Sequence, residues 1–178
     1  MLTKERIQLP SNAGFEEWWG CYESSFPEAE RRPLGDHLAA LQDERFYCYR
    51  FEDEQGFAGL FSYWLFGKLI YAEHFAIPSS RRGDGLGSLI LKQFLDEASM
   101  PIILEIEPME DDATKARWRF YKRLGFCLLR DEHWQPLYHQ GDAPLRLRLL
   151  SYPMPLDPKR VLRFQSELEQ TIAQYRDR

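Results

Sequence analysis

The alternation of apolar and polar residues predicts strands in two groups along the chain. The first group is rich in aromatic side chains, and the polar stretch 52–56 between its first two runs predicts a hairpin. Shorter apolar runs follow in the second half of the chain, bounded by proline, glycine or charged residues. The predicted strands are 46–51, 56–66, 69–77, 101–106, 126–129 and 145–150.

Between these runs, apolar residues recur every three or four positions, which is the period of an amphipathic helix. Asp111 and Asp112 are suited to begin a helix, Gly125 to follow its end, and Pro158 to occupy the first turn of the last helix. The predicted helices are 13–24, 31–41, 86–95, 112–124 and 158–176.

The resulting order, ααβββαβαββα, predicts a mixed-sheet α/β layer fold. The chain has 178 residues, of which 44% are hydrophobic and 15% aromatic. That is enough to bury a sizeable core without metals or disulfides. We expect a single domain over residues 1–178, with the motifs described below lying between residues 44 and 131.

Charge and composition narrow the range of functions. The net charge is −5 and the pI is about 5.5, so we expect no nucleic-acid partner. No apolar run reaches the ~20 residues that cross a bilayer, and residues 1–6 lack the apolar core of a signal peptide. Cys21, Cys48 and Cys127 lack paired spacing, which favours reduced thiols in a cytoplasmic protein over disulfides or a zinc site.

The segment 77–88, Ile-Pro-Ser-Ser-Arg-Arg-Gly-Asp-Gly-Leu-Gly-Ser, joins a predicted strand to a predicted helix. Its alternating glycines allow backbone N–H groups to approach a ligand, and the N-terminus of the helix adds the positive end of its dipole. Arg81 and Arg82 stand beside the glycines. The pattern predicts a pyrophosphate-binding loop rather than an ordinary strand–helix turn.

Two known phosphate loops fit this segment poorly. A P-loop ends in Gly-Lys-Ser or Gly-Lys-Thr, whereas this segment ends in Gly87-Ser88 without a lysine. A dinucleotide fingerprint would place Ser88 at its third small position and Glu105 as its acidic residue, but too few βαβ units follow. An NAD(P)-binding protein is therefore a weak alternative.

Residues 82–87, Arg-Gly-Asp-Gly-Leu-Gly, match without gaps the acyl-CoA signature Gln/Arg-x-x-Gly-x-Gly/Ala of the GNAT N-acetyltransferases. Residues 118–126, Trp-Arg-Phe-Tyr-Lys-Arg-Leu-Gly-Phe, resemble the later helix-to-strand motif of that family, and residues 69–77 resemble its fourth strand. On this resemblance the chain is identified as a member of the GNAT superfamily. The resemblance implies a mixed, mostly antiparallel sheet flanked by helices, with two strands that splay apart.

The resemblance also implies acetyl-CoA as co-substrate, direct transfer to an amine, and no metal. The end of the fourth strand would pair with the pantetheine arm, and the loop amides with the Ser88 hydroxyl would hold the pyrophosphate. Many members carry an asparagine seven residues before the motif tyrosine, where this chain has Thr114. The implied cofactor-binding residues are Phe75, Ala76, Ile77, Arg82, Gly83, Asp84, Gly85, Leu86, Gly87, Ser88 and Thr114.

Two catalytic residues follow from the resemblance. Tyr121 occupies the position of the general acid that protonates the departing thiolate. Family bases stand at the equivalents of Tyr71 and Glu73, and strand alternation places Glu73 on the face of Phe75, with His74 on the opposite face. We expect Glu73 to be the base, directly or through a water, ahead of His74, with a pKa raised by its aromatic neighbours. Glu105 or an ordered water is the alternative.

The sequence indicates only the chemical class of the acceptor, the molecule that would receive the acetyl group. Glu105 and Glu107 alternate along one predicted strand, so we expect them to line the same slot and attract a cationic amine. The resemblance implies a small-molecule or peptide amine acceptor, bound between the N-terminal helices and residues 133–139, in a monomer or homodimer. The alternative is an acyl-CoA-binding module that has lost its chemistry, and the presence of both Tyr121 and Glu73 favours the enzyme.

Overall fold

The computed structural model of the protein describes residues 1–176, whose strands form one mixed sheet. The strands are β1 (Thr3–Ile7), β2 (Phe46–Asp53), β3 (Gly56–Leu65), β4 (Ile70–Ala76), β5 (Ile102–Ile106), β6 (Cys127–Gln135) and β7 (Leu145–Tyr152). They are arranged in the order β1-β2-β3-β4-β5-β7-β6. Neighbouring strands are antiparallel except for β4 and β5, which are parallel.

Helices cover both faces of this sheet. They are α1 (Phe15–Ser25), α2 (Leu34–Ala40), α3 (Leu86–Glu97), α4 (Asp112–Arg123) and α5 (Pro158–Gln174), with single 3₁₀ turns at Glu28–Glu30 and Ser79–Arg81. Within residues 1–176, none of the helices has the length and apolar character needed to cross a bilayer.

The predicted α/β fold with a mixed, mostly antiparallel sheet is confirmed, and the differences lie in polar segments. Strand β1 was not predicted, because Thr3–Ile7 is largely charged and lies at the edge of the sheet. Strand β6 continues to Gln135 through charged residues that the apolar pattern excluded. Helix α2 begins at Leu34 rather than residue 31, since Pro33 precedes its first turn.

The core consists of two apolar layers, one on each face of the sheet. Helices α1, α2 and α5 pack on one face, where Trp18 and Phe164 are buried. Helices α3 and α4 pack on the other face, where Ile90 and Leu91 are buried. The sheet is therefore rigidly supported from both sides where the parallel strands meet.

Strands β4 and β5 pair over a short stretch and then separate. The paired positions are Ile70 with Ile102, Tyr71 with Ile103, and Ala72 with Leu104. Beyond these pairs, Glu73–Ala76 and Glu105–Ile106 have no partner across this gap within the described sheet. The V-shaped opening that the family resemblance implied lies at this point.

A β-bulge at Glu73 changes which side chains share a face of β4. Across from β4, Ser62 pairs with His74 and Tyr63 pairs with Ala72, so Glu73 is the extra residue. The expectation that Glu73 shares a face with Phe75 and lies opposite His74 is therefore wrong. Glu73 and His74 both contact residues of the α1–α2 side, because the bulge resets the alternation.

Candidate active site

A cleft of about 800 Å³ opens where β4 and β5 separate. Its walls come from the end of β4, the glycine-containing loop, the first turn of α3, helix α4 and the segment after α1. Most of the residues predicted for a site line this one cleft: Glu73, Phe75, Ala76, Ile77, Arg82, Gly83, Gly85, Leu86, Gly87, Ser88, Glu105, Glu107 and Tyr121.

The glycine loop has the backbone form that close approach of a ligand requires. Gly83 and Gly85 have φ values of 100° and 78°, in the left-handed region that side chains disfavour. A Cβ at either position would meet nothing within 4 Å, so the space above both backbones is open. Leu86, Gly87 and Ser88 begin α3, and their amides have no acceptor within the helix. The loop therefore offers an open row of donors at the positive end of a helix dipole.

Two arginines fix this loop to the sheet. Arg81 donates to an Asp53 carboxylate oxygen at 2.6 Å and to the Phe57 carbonyl at 3.3 Å. Arg82 donates through Nε to the Ile77 carbonyl at 3.0 Å, which leaves its terminal nitrogens available to an anion. The arginines thus shape the loop and add positive charge beside it.

We expect Gly85→Val to weaken acetyl-CoA binding by tenfold or more, because a branched side chain would fill the open space above the loop. Gly56→Val is the matched control, since Gly56 also has a positive φ and open surroundings but lies in the β2–β3 turn. Both variants carry similar backbone strain, on the order of 1–2 kcal/mol. Calorimetry of acetyl-CoA binding measures the effect, and equal affinity of a folded Gly85→Val variant and the wild type would contradict the placement.

Tyr121 projects from α4 into the cleft, with its ring edge-on to Phe120 and Phe126. Burial raises the pKa of Tyr121 to about 12, while the charge of Arg117 lowers it and that of Glu107 raises it. The hydroxyl therefore keeps its proton at neutral pH and remains a hydrogen-bond donor. Its ring also packs between helix and sheet, so it combines an anchoring role with a polar group in the cleft.

Glu73 has surroundings that differ from the expected ones. Its side chain is 0% exposed and is held in a two-point ion pair by Arg32, which is 1% exposed, with both N–O distances 2.8 Å. Burial alone would raise the pKa of Glu73, but the charge of Arg32 and the hydrogen bonds from His74 and Arg32 hold it well below its usual range. The expectation of a raised pKa is therefore wrong, and this carboxylate is a poor proton acceptor.

The Arg32–Glu73 pair is the centre of a buried network behind the cleft. Tyr138 donates to Glu73 at 3.0 Å, and the Arg32 guanidinium lies over the Tyr138 ring at 4.9 Å. His74 Nε2 lies 2.9 Å from the main-chain carbonyl of Glu30. His139 Nε2 lies 2.9 Å from the carbonyl of Glu28 and 3.0 Å from that of Arg31. This network holds the segment after α1 against β4 and so shapes one wall of the cleft.

Three further carboxylates, those of Glu105, Glu107 and Glu30, line the cleft where β4 and β5 separate. Glu105 accepts hydrogen bonds from Tyr71 at 2.6 Å and His133 at 2.5 Å. Glu107 is paired with Arg117 of α4. Glu30 lies on the opposite wall, and burial, with a further contribution from Glu107, raises its pKa. The cleft is therefore basic at the glycine loop and acidic where β4 and β5 separate, which suits an anionic ligand at one end and a cation at the other.

The structure does not bring two of the predicted residues to the cleft. The Thr114 hydroxyl belongs to a capping box at the start of α4, where it accepts from the amides of Glu110 and Asp111 at 3.1 Å. Asp84 is exposed and is not among the residues that line the cleft. The expected contact of Thr114 with a cofactor has no support in this arrangement.

Sequence reasoning missed the residues that act behind the cleft. Arg32 was placed inside the predicted helix 31–41, and His133 and Tyr138 were expected only as part of the pocket wall at residues 133–139, outside any predicted strand. Their roles come from contacts between distant parts of the chain, which no local pattern reports. One signal was available, since Arg32 is followed by Pro33 and therefore cannot lie inside the predicted second helix.

No group of three or more histidine, cysteine, aspartate or glutamate side chains within residues 1–176 is arranged to hold a metal ion. Cys21 and Cys48 are buried, and burial raises the pKa of both thiols. The polar groups of the cleft are thus oxygen and nitrogen donors and acceptors suited to organic ligands.

Comparison with known proteins gives concordant results. The model of the "Acetyltransferase (GNAT) family" matches residues 12–126. A protein of Bacillus subtilis (strain 168) named "Putative acetyltransferase YjbC" is 30% identical over 111 residues, which cover 61% of this chain. The match spans 56% of that relative, so this chain corresponds to little more than half of its length.

Solved structures resemble the fold over most of its length. A "Putative acetyltransferase from GNAT family" of Bacteroides thetaiotaomicron has a TM-score of 0.83 and 27% identity, covering 92% of this chain and 94% of that one. Arabidopsis thaliana Naa50 in complex with the bisubstrate analogue CoA-Ac-MVNAL has a TM-score of 0.61 and 18% identity, covering 86% of this chain and 99% of that one.

Proposed function

The chain belongs to the GNAT family of acetyltransferases, and from this premise we propose that it transfers an acetyl group from acetyl-CoA directly to an amine. The observation that carries the proposal is the single cleft that joins an open glycine loop to Tyr121 and to an acidic end. The proposed acceptor is a small-molecule or peptide amine, and the Naa50 complex with a CoA–peptide analogue supports this class.

The residues of the cleft fit acetyl-CoA. The open backbones of Gly83 and Gly85 and the first turn of α3 would hold the pyrophosphate, with Arg82 beside them. The unpaired edge of β4 at Phe75–Ile77 would receive the amide groups of the pantetheine arm. Such edges bind extended ligands through main-chain hydrogen bonds.

Acetyl-CoA, when bound, supplies a thioester: the amine nitrogen bonds to the acetyl carbon, the carbon–sulfur bond breaks, and the thiol leaves. Tyr121 would donate its proton to the departing sulfur, since its raised pKa keeps it protonated until that moment. The nitrogen would give up its second proton as the amide forms, and that proton would restore the Tyr121 hydroxyl. The acidic end of the cleft would draw in the ammonium form of the acceptor, which must lose a proton before it can react.

A panel of amines with acetyl-CoA, assayed by release of free thiol, tests the proposal. We expect thiol release that depends on both enzyme and amine, and highest rates with acceptors that carry no carboxylate near the reacting nitrogen, because the acceptor end of the cleft is acidic. A folded protein that binds acetyl-CoA but releases no thiol with any amine would instead be a binding module of the same fold.

A further inference from the structure

A network of hydrogen bonds extends from the cleft to helix α5. Glu105 Oε1 lies 2.5 Å from His133 Nε2, and His133 Nδ1 lies 3.0 Å from the side-chain nitrogen of Gln165. Tyr71 donates to Glu105 Oε2 at 2.6 Å, and Gln135 donates to the same oxygen at 3.3 Å. Side chains from β4, β6 and α5 thus fix one carboxylate of β5.

Glu105 stands at the point where the parallel strands separate. The last β4–β5 pair joins Ala72 to Leu104, so Glu105 is the first residue of β5 beyond it, and it lines the cleft. Its side chain is 6% exposed. The three donors occupy three of about four lone-pair directions of a carboxylate, which leaves one free to accept from a group in the cleft.

Glu105 accepts from a tyrosine, a histidine and a glutamine and not from an arginine, which distinguishes it from two neighbouring carboxylates. The side-chain nitrogen of Gln165, which can only donate, lies 3.0 Å from His133 Nδ1, so Nδ1 accepts and Nε2 donates to Glu105. Burial and the charge of Glu105 raise the pKa of Tyr71, so its hydroxyl also keeps its proton. By contrast, Glu73 and Glu107 are each neutralised by an arginine.

We infer that Glu105 is the residue that accepts the proton of the acceptor ammonium, and that His133 and Gln165 are positioning residues that orient its carboxylate. In this step an N–H bond of the ammonium breaks, an O–H bond forms on Glu105, and the electron pair left on nitrogen attacks the acetyl carbon. The proton then leaves to solvent through the open cleft. The inference rests on the proposed function and replaces Glu73 in the role of base.

Several titratable groups face Glu105, and any test must separate them. Glu30 is the competing base, since it lies on the opposite wall and burial raises its pKa. The groups that face or influence Glu105 are Tyr71 on β4, His133 on β6, Tyr138 after β6, and Glu30 after α1.

The pH dependence of kcat/KM reports the base, because the acidic limb marks the protonation of the group that must be ionised. His133→Leu removes the donor that orients the carboxylate, so we expect kcat to fall by about tenfold or more while KM for the amine stays within a few-fold of the wild type. His133→Gln retains a donor of similar reach and should restore most of the wild-type kcat. Glu105→Gln should abolish the limb and most of the activity.

A structural role for His133 would not produce this pattern. Val161→Ala removes buried volume from the same helix as Gln165 and should lower the melting temperature without lowering kcat.

Two results would overturn the inference in an active enzyme. One is a wild-type kcat in folded His133→Leu, and the other is a limb that disappears in Glu30→Gln but persists in Glu105→Gln. Absence of amine-dependent thiol release from the folded wild-type protein would overturn the proposed function, and this inference with it.

Discussion

The Tyr121→Phe variant is expected to lose a factor of about 10²–10⁴ in kcat, the usual contribution of a positioned general acid. The phenylalanine ring retains the edge-on contacts with Phe120 and Phe126, so packing should change little. The hydroxyl is the part that is lost, and burial holds its pKa at about 12, where it serves as a donor to the departing sulfur. Acetyl-CoA affinity should remain within a few-fold of the wild type.

Steady-state kinetics with thermal denaturation in parallel measures this effect. Tyr63→Phe is the matched control, because Tyr63 lies in an aromatic cluster on β3 outside the cleft, and its loss of a hydroxyl should leave kcat unchanged. A Tyr121→Phe enzyme with wild-type kcat would show that the tyrosine is an anchor between α4 and the sheet and that another group protonates the thiolate.

Glu73→Gln is expected to destabilise the fold by roughly 3–5 kcal/mol, the range for breaking a buried ion pair from one side. The substitution leaves the Arg32 charge without its partner in a site where both side chains are almost fully buried. Arg32→Met combined with Glu73→Leu removes both charges and should be less destabilising than Glu73→Gln alone. Glu97→Gln breaks an exposed ion pair with Lys4 and should cost less than about 1 kcal/mol.

The same pair gives a pH dependence of definite sign. The pKa of Glu73 is lower in the folded protein than in the unfolded chain, where a glutamate titrates near 4.3. The unfolded state therefore takes up the proton first, so the stabilisation is complete above about pH 5 and is lost as the pH falls. Urea denaturation should show the difference in unfolding free energy between wild type and Glu73→Gln narrowing steadily as the pH falls below about 4, and a constant difference would contradict the assignment.

The sequence predicted most of the fold and the open glycine loop at one end of the cleft, because both depend on local patterns. The strand–loop–helix around Gly85 and the helix leading to Tyr121 are continuous segments, and their periodicity and glycines specify them directly. The predictions failed where a residue depends on distant partners. The bulge at Glu73 cannot be read from β4 alone, since it is a mismatch with β3.

The roles of the acidic residues could not be predicted for the same reason, because their partners are distant in the sequence. Glu73 and Glu105 were both found as polar positions in apolar strands, but their partners lie on other elements. Arg32 and Tyr138 enclose the Glu73 carboxylate, whereas Glu105, which His133 and Tyr71 hold, lines the cleft. Because a pKa depends on these neighbours, the role of each carboxylate could not be decided from residue type and alternation.

The most direct test of the proposed activity uses acetyl-CoA labelled in its acetyl group. The wild-type protein is incubated with the amine that releases most thiol, and the small molecules and the intact protein are analysed by mass spectrometry. Direct transfer predicts one labelled N-acetyl amine for each CoA released, and no label on the protein. Labelled protein, or release of CoA with free labelled acetate and no acetylated amine, would contradict the account.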